Sequence, residues 1–229
     1  LGGYGITDNP LEPYKWVFPA IEILPQDRLL IYASGKDRQD WVAHWETIID
    51  WGNNWNYFLG NNPPPDNWNQ QSFNDAGWAN GPSGFGYGDN DDATVVDPVM
   101  SLYVRHEFSV SNLESILKIV LHVDYDDAFV AYINGEEIAR ANIGSPGIPP
   151  AHDQGADSWR EAEIYQGGEP DEYLIDAAES LLENGTNVLA LQVHNFNLES
   201  SDLTLIPFLT LGLDNAPQNA QGLSEHLDV

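Results

Sequence analysis

Residues 121–136, LHVDYDDAFVAYINGE, decide the fold because they combine two strand patterns, an acidic corner and a tight-turn signal. Apolar residues fall at every second position of residues 123–125 and again of residues 129–133. This period of two is typical of strands that are half-buried in a sheet. Asn134-Gly135 then offers the positive φ angles that a two-residue hairpin turn requires. The segment therefore predicts antiparallel strands with one face on a core.

The corner between the two strand patterns contains Asp124, Asp126 and Asp127. Carboxylates this close repel one another, and the repulsion is usually relieved by exposure, by backbone amides or by a hard cation. The corner is therefore either a brace for a loop or a calcium site, with Asp126 and Asp127 as the candidate Ca²⁺ ligands.

A second acidic run follows a Gly-rich stretch at residues 81–89. Asp89, Asp91 and Asp92 present oxygen atoms at near-alternate positions, which suits Ca²⁺, but the spacing and the distal Glu of an EF-hand loop are absent. The Gly-rich stretch lacks the Lys of a phosphate-binding loop, so we expect a turn whose Phe85 and Tyr87 close one end of a sandwich.

The charge balance limits the partners of this 229-residue chain. Eight Lys and Arg oppose 36 Asp and Glu, for a formal net charge of −28. Such a chain repels nucleic acid and anionic membrane surfaces and favours cations or neutral partners. Because the acidic residues are spread along the chain and not collected in a tail, we expect most of them to lie on a solvated surface. Cysteine is absent, so no disulfide, thiol nucleophile or cysteine-bound zinc is expected.

No apolar run approaches the roughly 20 residues of a membrane-spanning helix, so membrane insertion is not expected. The sequence opens on Leu1-Gly2-Gly3 without a basic and apolar leader. We expect a mature or excised piece of a longer polypeptide, whose targeting signals would lie outside this sequence.

Three zones differ in texture: a short β element at residues 1–40, an aromatic and strand-rich domain at 41–213, and a polar linker or tail at 214–229. One short helix is predicted at residues 175–182, with Asp176 as its N-cap. Strands are predicted at residues 15–18, 28–33, 101–110, 116–123, 129–133, 137–141, 187–194 and 203–211.

The first zone contains the segments LGGYGITDNP, KWVFP and LLIYASGKDR, within residues 1–38. Together they resemble part of a lamin-tail domain, an immunoglobulin-like β-sandwich of exported bacterial proteins. The resemblance implies a partial immunoglobulin-like element, because the opening and closing strands of that family are missing.

The second zone contains a set of segments in a characteristic order: WETIIDWGNNWNYFLG, FNDAGWANGPSGFGYGDNDDAT, SLYVRHEFSV, LHVDYDDAFVAYINGEEIAR, GTNVLALQVHN and SSDLTLIPFLTL. This set resembles a galactose-binding-domain-like jelly roll, an accessory module of secreted bacterial hydrolases and adhesins that is related to the sugar-binding domain of family 2 glycoside hydrolases. The resemblance implies an all-β jelly-roll β-sandwich in a secreted or cell-surface protein and leaves the activity open. The paired Asp126-Asp127 are similar to the calcium-binding corner of yeast flocculin-type lectin modules.

Glycan binding has the best candidate residues. Sugars stack their apolar face on exposed aromatic rings and donate hydroxyl hydrogen bonds to polar side chains. The long loop at residues 144–170 lacks strand periodicity, and loops of this length are usually functional or disordered. Trp159 is the candidate stacking platform, although it could equally be a plug on the sandwich. The other candidate ligand contacts are His152, Arg160, Tyr165 and Trp55.

Catalysis has little support. The six histidines are scattered without a metal-binding spacing, and Ser83 lies outside any nucleophile-elbow pattern. His122 and His194 lie within strand patterns, which favours structural roles. We therefore expect a non-catalytic module.

The predicted function is binding of a polysaccharide or surface glycan, with calcium as a structural ion. The alternative is a structural subunit of an extracellular filament or surface layer, in which the incomplete N-terminal strands leave edges that pair with a neighbouring copy.

Overall fold

The computed structural model describes residues 2–7, 10–11, 13–18, 42–88, 92–175 and 178–215. The chain divides into two compact units, Leu1–Trp41 and Val42–Val229. The elements are β1 (Gly5–Ile6), β2 (Trp16–Val17), β3 (His44–Ile49), β4 (Asn54–Leu59), β5 (Ala79–Pro82), β6 (Phe85–Tyr87), β7 (Thr94–Val95), β8 (Ser101–Val110), β9 (Ile116–Asp126), β10 (Ala128–Ile133), β11 (Glu136–Ala141), β12 (Asp171–Ile175), α1 (Ala178–Leu181), β13 (Gly185–His194), β14 (Leu203–Leu213) and two 3-10 turns at Leu113–Ser115 and Ile164–Gln166.

The second unit is an all-β jelly-roll sandwich, as the sequence predicts. Its first sheet has the strand order β11-β10-β13-β8-β4-β5, and its second has the order β12-β9-β14-β6-β7. The long strand β14 pairs with β6 near its start and with β3 near its end, so both lie on one side of it. Among the described strands, only β6 and β7 pair in parallel.

The predicted strands from residue 101 onwards are all present. The helix expected at residues 175–182 is wrong in its first part, because Ile175 ends strand β12 and pairs with Ile119 of β9. Of the described residues in this range, only those of the single turn α1 are helical. Asp176, its expected N-cap, lies outside the described residues.

The core between the sheets confirms the alternation that the sequence shows. Val123 and Tyr125 of β9 pack there with Phe129, Ala131 and Ile133 of β10. The turn after β10 is confirmed as well, since Asn134 and Gly135 have φ angles of 51° and 95°.

The outer face of the first sheet is also buried, which differs from the polar face expected for a half-buried strand. Tyr132 of β10 and Tyr103 of β8 lie under Trp68, whose ring meets each of them edge-on at centroid distances of 5.7 and 4.9 Å. Trp68 comes from the segment between β4 and β5, which covers this face with a second apolar cluster. All six residues of β10 are therefore buried.

Arg105 fastens this covering segment to the sheet. Its side chain lies on β8 and is 1% exposed. The guanidinium donates to the carboxylate of Asp75 at 2.8 Å, to the carbonyls of Gln70 and Phe73 at 3.1 and 3.4 Å, and to that of Trp68. One buried cation therefore satisfies four acceptors of a segment that has no strand of its own.

The Gly-rich turn closes the sandwich as expected, since Phe85 and Tyr87 are buried in the main core. Gly86 is required by close approach, because a Cβ there would lie 1.7 Å from the carbonyl oxygen of Leu203 on the neighbouring strand. This turn therefore brings β6 against the start of β14.

The first unit contains the hairpin of β1 and β2, which accounts for the strand predicted at residues 15–18. The strand predicted at residues 28–33 lies outside the described residues, and so does most of the predicted tail. The lamin-tail resemblance stays a prediction. Among the described residues, none belongs to a helix with the length and hydropathy to span a bilayer.

We expect Arg105→Met to lower the free energy of unfolding by about 2–4 kcal/mol, because removing the buried guanidinium leaves the partly buried carboxylate of Asp75 and three carbonyls without their donor. Glu107→Gln, exposed on the same strand, is the control and should shift it by about 0.5 kcal/mol or less. Urea denaturation followed by tryptophan fluorescence measures both. Equal midpoints for the two variants would contradict the anchoring role of Arg105.

Candidate functional site

The acidic corner lies where the chain leaves β9 in the second sheet and enters β10 in the first. Asp124 is fully buried at this crossing. Its two carboxylate oxygens accept the backbone amides of Glu163 and Ile164, both at 2.8 Å. Burial raises the pKa of Asp124, and the two amide hydrogen bonds partly offset that effect. Asp124 therefore braces the long loop.

Asp127 braces two segments at once. One carboxylate oxygen accepts the amide of Arg160 and the other accepts the amide of Phe196, each at 2.6 Å. The side chain is 3% exposed. Because each oxygen is engaged by a backbone amide, the brace interpretation of the corner describes Asp127 better than the calcium interpretation does.

Asp126 has different neighbours. One carboxylate oxygen each from Asp126, Glu161 and Asp202 lie within 4.8 Å of one another. Calcium binds oxygen atoms at about 2.3–2.6 Å, so atoms with this mutual spacing can share one ion. The three acids, here called the acidic triad, come from the end of β9, from the long loop and from the segment before β14. They are residues that can hold a hard cation.

The negative field of the triad reaches the hydroxyl of Tyr87. Burial raises the pKa of Tyr87 first, and the charges of Asp126 and Asp202 raise it further. The hydroxyl accepts a hydrogen bond from the side-chain amide of Asn195 at 2.9 Å. A phenol stays protonated in such surroundings and can act as a donor.

The second predicted calcium run is only partly described. Asp92 lies beside Gly86, with one carboxylate oxygen 2.6 Å from the position that a Cβ of Gly86 would take. Asp92 is not part of the acidic triad. Asp89 and Asp91 lie outside the described residues, so calcium at this run stays a prediction.

Trp159 is 72% exposed, which rules out the interpretation of this residue as a plug. Its backbone is nevertheless held on both sides. The carbonyl of Ser158 accepts the side-chain amide of Asn142, and the Ser158 hydroxyl donates to the Asn142 side-chain oxygen at 2.8 Å. On the other side, the amide of Arg160 donates to Asp127. A large apolar ring thus stands in solvent on a fixed backbone.

Arg160 was expected to contact a ligand, but its guanidinium is built into the scaffold. Its Cζ lies 3.8 Å from the ring centroid of Tyr125. It also donates to the carbonyl of Tyr125 and, at 3.2 Å, to the carboxylate of Asp171. Arg160 therefore positions the loop, because these contacts engage the groups that a sugar hydroxyl would need.

Arg140 holds the start of the same loop. It donates two parallel hydrogen bonds to the carboxylate of Glu137, at 2.9 and 2.8 Å, and further bonds to the carbonyls of Ile143 and Ile148 at 3.0 and 3.1 Å. The paired guanidinium holds the pKa of Glu137 below its usual range. The loop is therefore anchored at its beginning as well as at its acidic corner.

Phe196 and Leu198 are exposed aromatic and aliphatic side chains that the sequence analysis did not select, at 43% and 67% exposure. They lie between β13 and β14, next to the long loop. The amide of Ala156 donates to the carbonyl of Asn195 at 2.9 Å, and a Cβ on Gly155 would lie 2.4 Å from the carbonyl of Phe196. The sequence does contain a signal for this pair, since both are large apolar residues inside the turn-forming stretch NFNLESS.

The other predicted ligand contacts are dispersed. Tyr165 is 41% exposed, and its hydroxyl donates to Glu161 at 3.4 Å. It therefore belongs to the rim of the sandwich, a name used here for the long loop at residues 144–170 together with the connection between β13 and β14. The side chain of His152 is 26% exposed and lies 3.9 Å from Asp153. Trp55 is wrong as a surface contact, because it is 0% exposed and packs in the main core.

His194 has the structural role expected for it. The ring is fully buried, with Nδ1 2.9 Å from the carbonyl of Gln154 and Nε2 3.3 Å from the side-chain oxygen of Gln192. Burial lowers the pKa of His194 to about 4. The neutral ring thus links the end of β13 to the long loop.

Comparisons with known proteins find only weak structural similarity to this chain. No protein-family model matches it, and no curated protein matches it. Solved structures with partial similarity include a β-glucuronidase of Bacteroides uniformis (14% identity, TM-score 0.45, 73% of this chain and 18% of that chain). They also include a β-glucuronidase of an uncultured Clostridium sp. (16% identity, TM-score 0.46, 75% of this chain and 30% of that chain). A family 2 glycosyl hydrolase of Bacteroides cellulosilyticus has 12% identity and a TM-score of 0.46, and the match covers 73% of this chain and 20% of that chain.

The chain thus spans less than a third of the length of each of these three proteins. With TM-scores this low, none of the likenesses supports an argument about the function of this chain.

We expect Asp127→Asn to lower the free energy of unfolding by about 2 kcal/mol, with calcium or with a chelator, because one amide of the rim then faces an NH₂ group. Asp157→Asn, exposed in the same loop, is the control. Thermal unfolding monitored by circular dichroism measures the difference. A loss that occurs only in the presence of calcium would contradict the brace role.

The buried His194 makes stability depend on pH. Its folded pKa is lower than its unfolded value, so its contribution is complete above about pH 6.5 and is lost as pH falls towards 4. We expect a loss of about 3 kcal/mol across this window. The His194→Gln variant should show a shallower slope of unfolding free energy against pH than the wild type. Parallel curves would refute the assignment.

Proposed function

We propose that the jelly-roll unit is a non-catalytic glycan-binding module of an exported bacterial protein. The observation that supports it is the pair of exposed aromatic residues, Trp159 and Phe196, on neighbouring segments that share Asp127 as a brace. Exposed rings on a braced backbone suit the apolar face of a sugar, because less loop ordering has to accompany binding than on an unbraced loop.

Charge selects the class of glycan. The chain has a formal net charge of −28, and the acidic triad lies on the same rim. An anionic polysaccharide would be repelled by this surface, whereas a neutral one would not. Neutral polysaccharides or neutral surface glycans are therefore the proposed partners.

The proposed cofactor is a structural Ca²⁺ ion at the acidic triad. The triad supplies only oxygen atoms from three chain segments, which is the ligand type that calcium prefers. Asp126 keeps the role that the sequence analysis gave it, while Glu161 and Asp202 take the place of Asp127.

The alternative of a self-assembling structural subunit predicts a different behaviour. Sedimentation at increasing protein concentration distinguishes the two, since a glycan-binding module stays monomeric and an assembling subunit forms polymers. A hydrolase would instead release reducing ends from the polysaccharide.

We expect Trp159→Ala to weaken glycan binding by about 2 kcal/mol, or about 30-fold, because it removes a central aromatic contact. The measurement is native gel electrophoresis in gels that contain galactomannan, xyloglucan or β-1,3-glucan, with polygalacturonate as the acidic comparison. Trp51→Ala is the matched control, because Trp51 is 45% exposed but lies in the turn between β3 and β4. Retardation that is the same for both variants, or none for the wild type, would overturn the proposal.

A further inference from the structure

The acidic triad has a fourth oxygen beside it, and this atom points to a cation independently of the acids. Thr204 is fully buried, and its hydroxyl has no hydrogen-bond partner among the residues that the structure describes. A buried hydroxyl without a partner is unfavourable and therefore uncommon in native proteins. The lone pairs of the Thr204 hydroxyl oxygen can be satisfied by coordination to a cation.

Strand register places this hydroxyl group with the triad. Thr204 on β14 pairs directly with Asp126 on β9. Side chains of directly paired residues leave a sheet on the same face, with Cβ atoms about 4.5–5.5 Å apart. Asp202 lies two residues before Thr204, which is the spacing of neighbours on one face of an extended chain. Thr204 thus lies beside two of the three acids.

The segments that supply the acids also carry the exposed aromatic side chains. Trp159 lies two residues before Glu161 in the long loop, and Phe196 lies in the connection that ends at Asp202. Without a cation, the three carboxylates repel one another within 4.8 Å and push these segments apart. With a cation, the same atoms attract a common centre and draw the segments together.

We propose that a hard divalent cation, bound by Asp126, Glu161, Asp202 and the hydroxyl of Thr204, controls glycan affinity by adding a second link, at Glu161 and Asp202, between the two rim segments that Asp127 already joins. This regulation rests on the proposed function. The cation acts on the backbone positions of Trp159 and Phe196. Because the coupling between two binding sites is reciprocal, a bound glycan should raise the affinity for the cation by the same factor. Four protein oxygens leave room for waters within the six to eight that calcium takes.

The cation site is tested first with metal alone. Terbium luminescence, sensitised by the nearby aromatic side chains and displaced by Ca²⁺, reports its affinity. Glu161→Gln and Asp202→Asn should each weaken binding roughly tenfold or more, since each removes a charged ligand. Asp157→Asn is the matched control and should leave it unchanged. Equal affinity in the triad variants and the control would overturn the site.

Thr204→Val separates a ligand from a mere packing residue. The substitution keeps the shape and removes the hydroxyl. In the presence of chelator the variant should unfold at a higher temperature than the wild type, because the unpaired hydroxyl is gone. Its terbium affinity should nevertheless fall. Unchanged affinity would remove Thr204 from the ligand set and overturn the proposal in this form.

Coupling to the rim is tested on the full chain. Calcium should slow amide hydrogen exchange in residues 157–162 and 195–202 of the wild type, and it should have no such effect in Asp202→Asn. In the polysaccharide gels described above, chelator should weaken retardation of the wild type roughly tenfold.

The outcomes keep the two proposals apart. Equal retardation with calcium and with chelator overturns the regulation and leaves glycan binding intact. No retardation in either condition overturns glycan binding and, with it, the regulation, while the terbium titration still decides whether the cation site exists.

Discussion

The rim of this sandwich depends on one buried carboxylate. Asp127 accepts one backbone amide from each of two segments that have no strand partner, so a planar group with two oxygens sets their separation. A neutral amide at this position has one acceptor oxygen and cannot serve both donors. The backbone that carries Trp159 and Phe196 is therefore joined at the corner between β9 and β10.

The sequence predicted this corner and its two interpretations, but it could not divide them among the three aspartates. The amides that bind Asp127 lie 33 and 69 positions further along the chain, and one of those that bind Asp124 lies 39 positions away. Local pattern does not reveal which carboxylate meets a distant amide and which meets other acids. Asp126 received the acidic neighbours because β14 pairs with β9 and brings Asp202 to the same edge.

The fold itself followed from alternation, and its errors follow from what covers the sheets. Residues 101–110 were predicted as a strand to the residue, and β10 was predicted to within one residue. The polar outer face was wrong because the segment that contains Trp68 covers it. That cover depends on Arg105, a cation whose role no periodicity indicates. Trp55 was misplaced for a different reason, since its strand β4 lies in the first sheet and turns this ring into the core between the sheets.

Arginine in the scaffold has a consequence for the exterior. Arg105, Arg140 and Arg160 are three of the four basic residues between positions 42 and 229, the fourth being Lys118, and all three bind internal acids and carbonyls. The outward charge of the unit is thus almost purely anionic. Copies of the unit brought close together would therefore repel one another at low ionic strength, and salt would weaken this repulsion by shortening the screening length to about 8–10 Å.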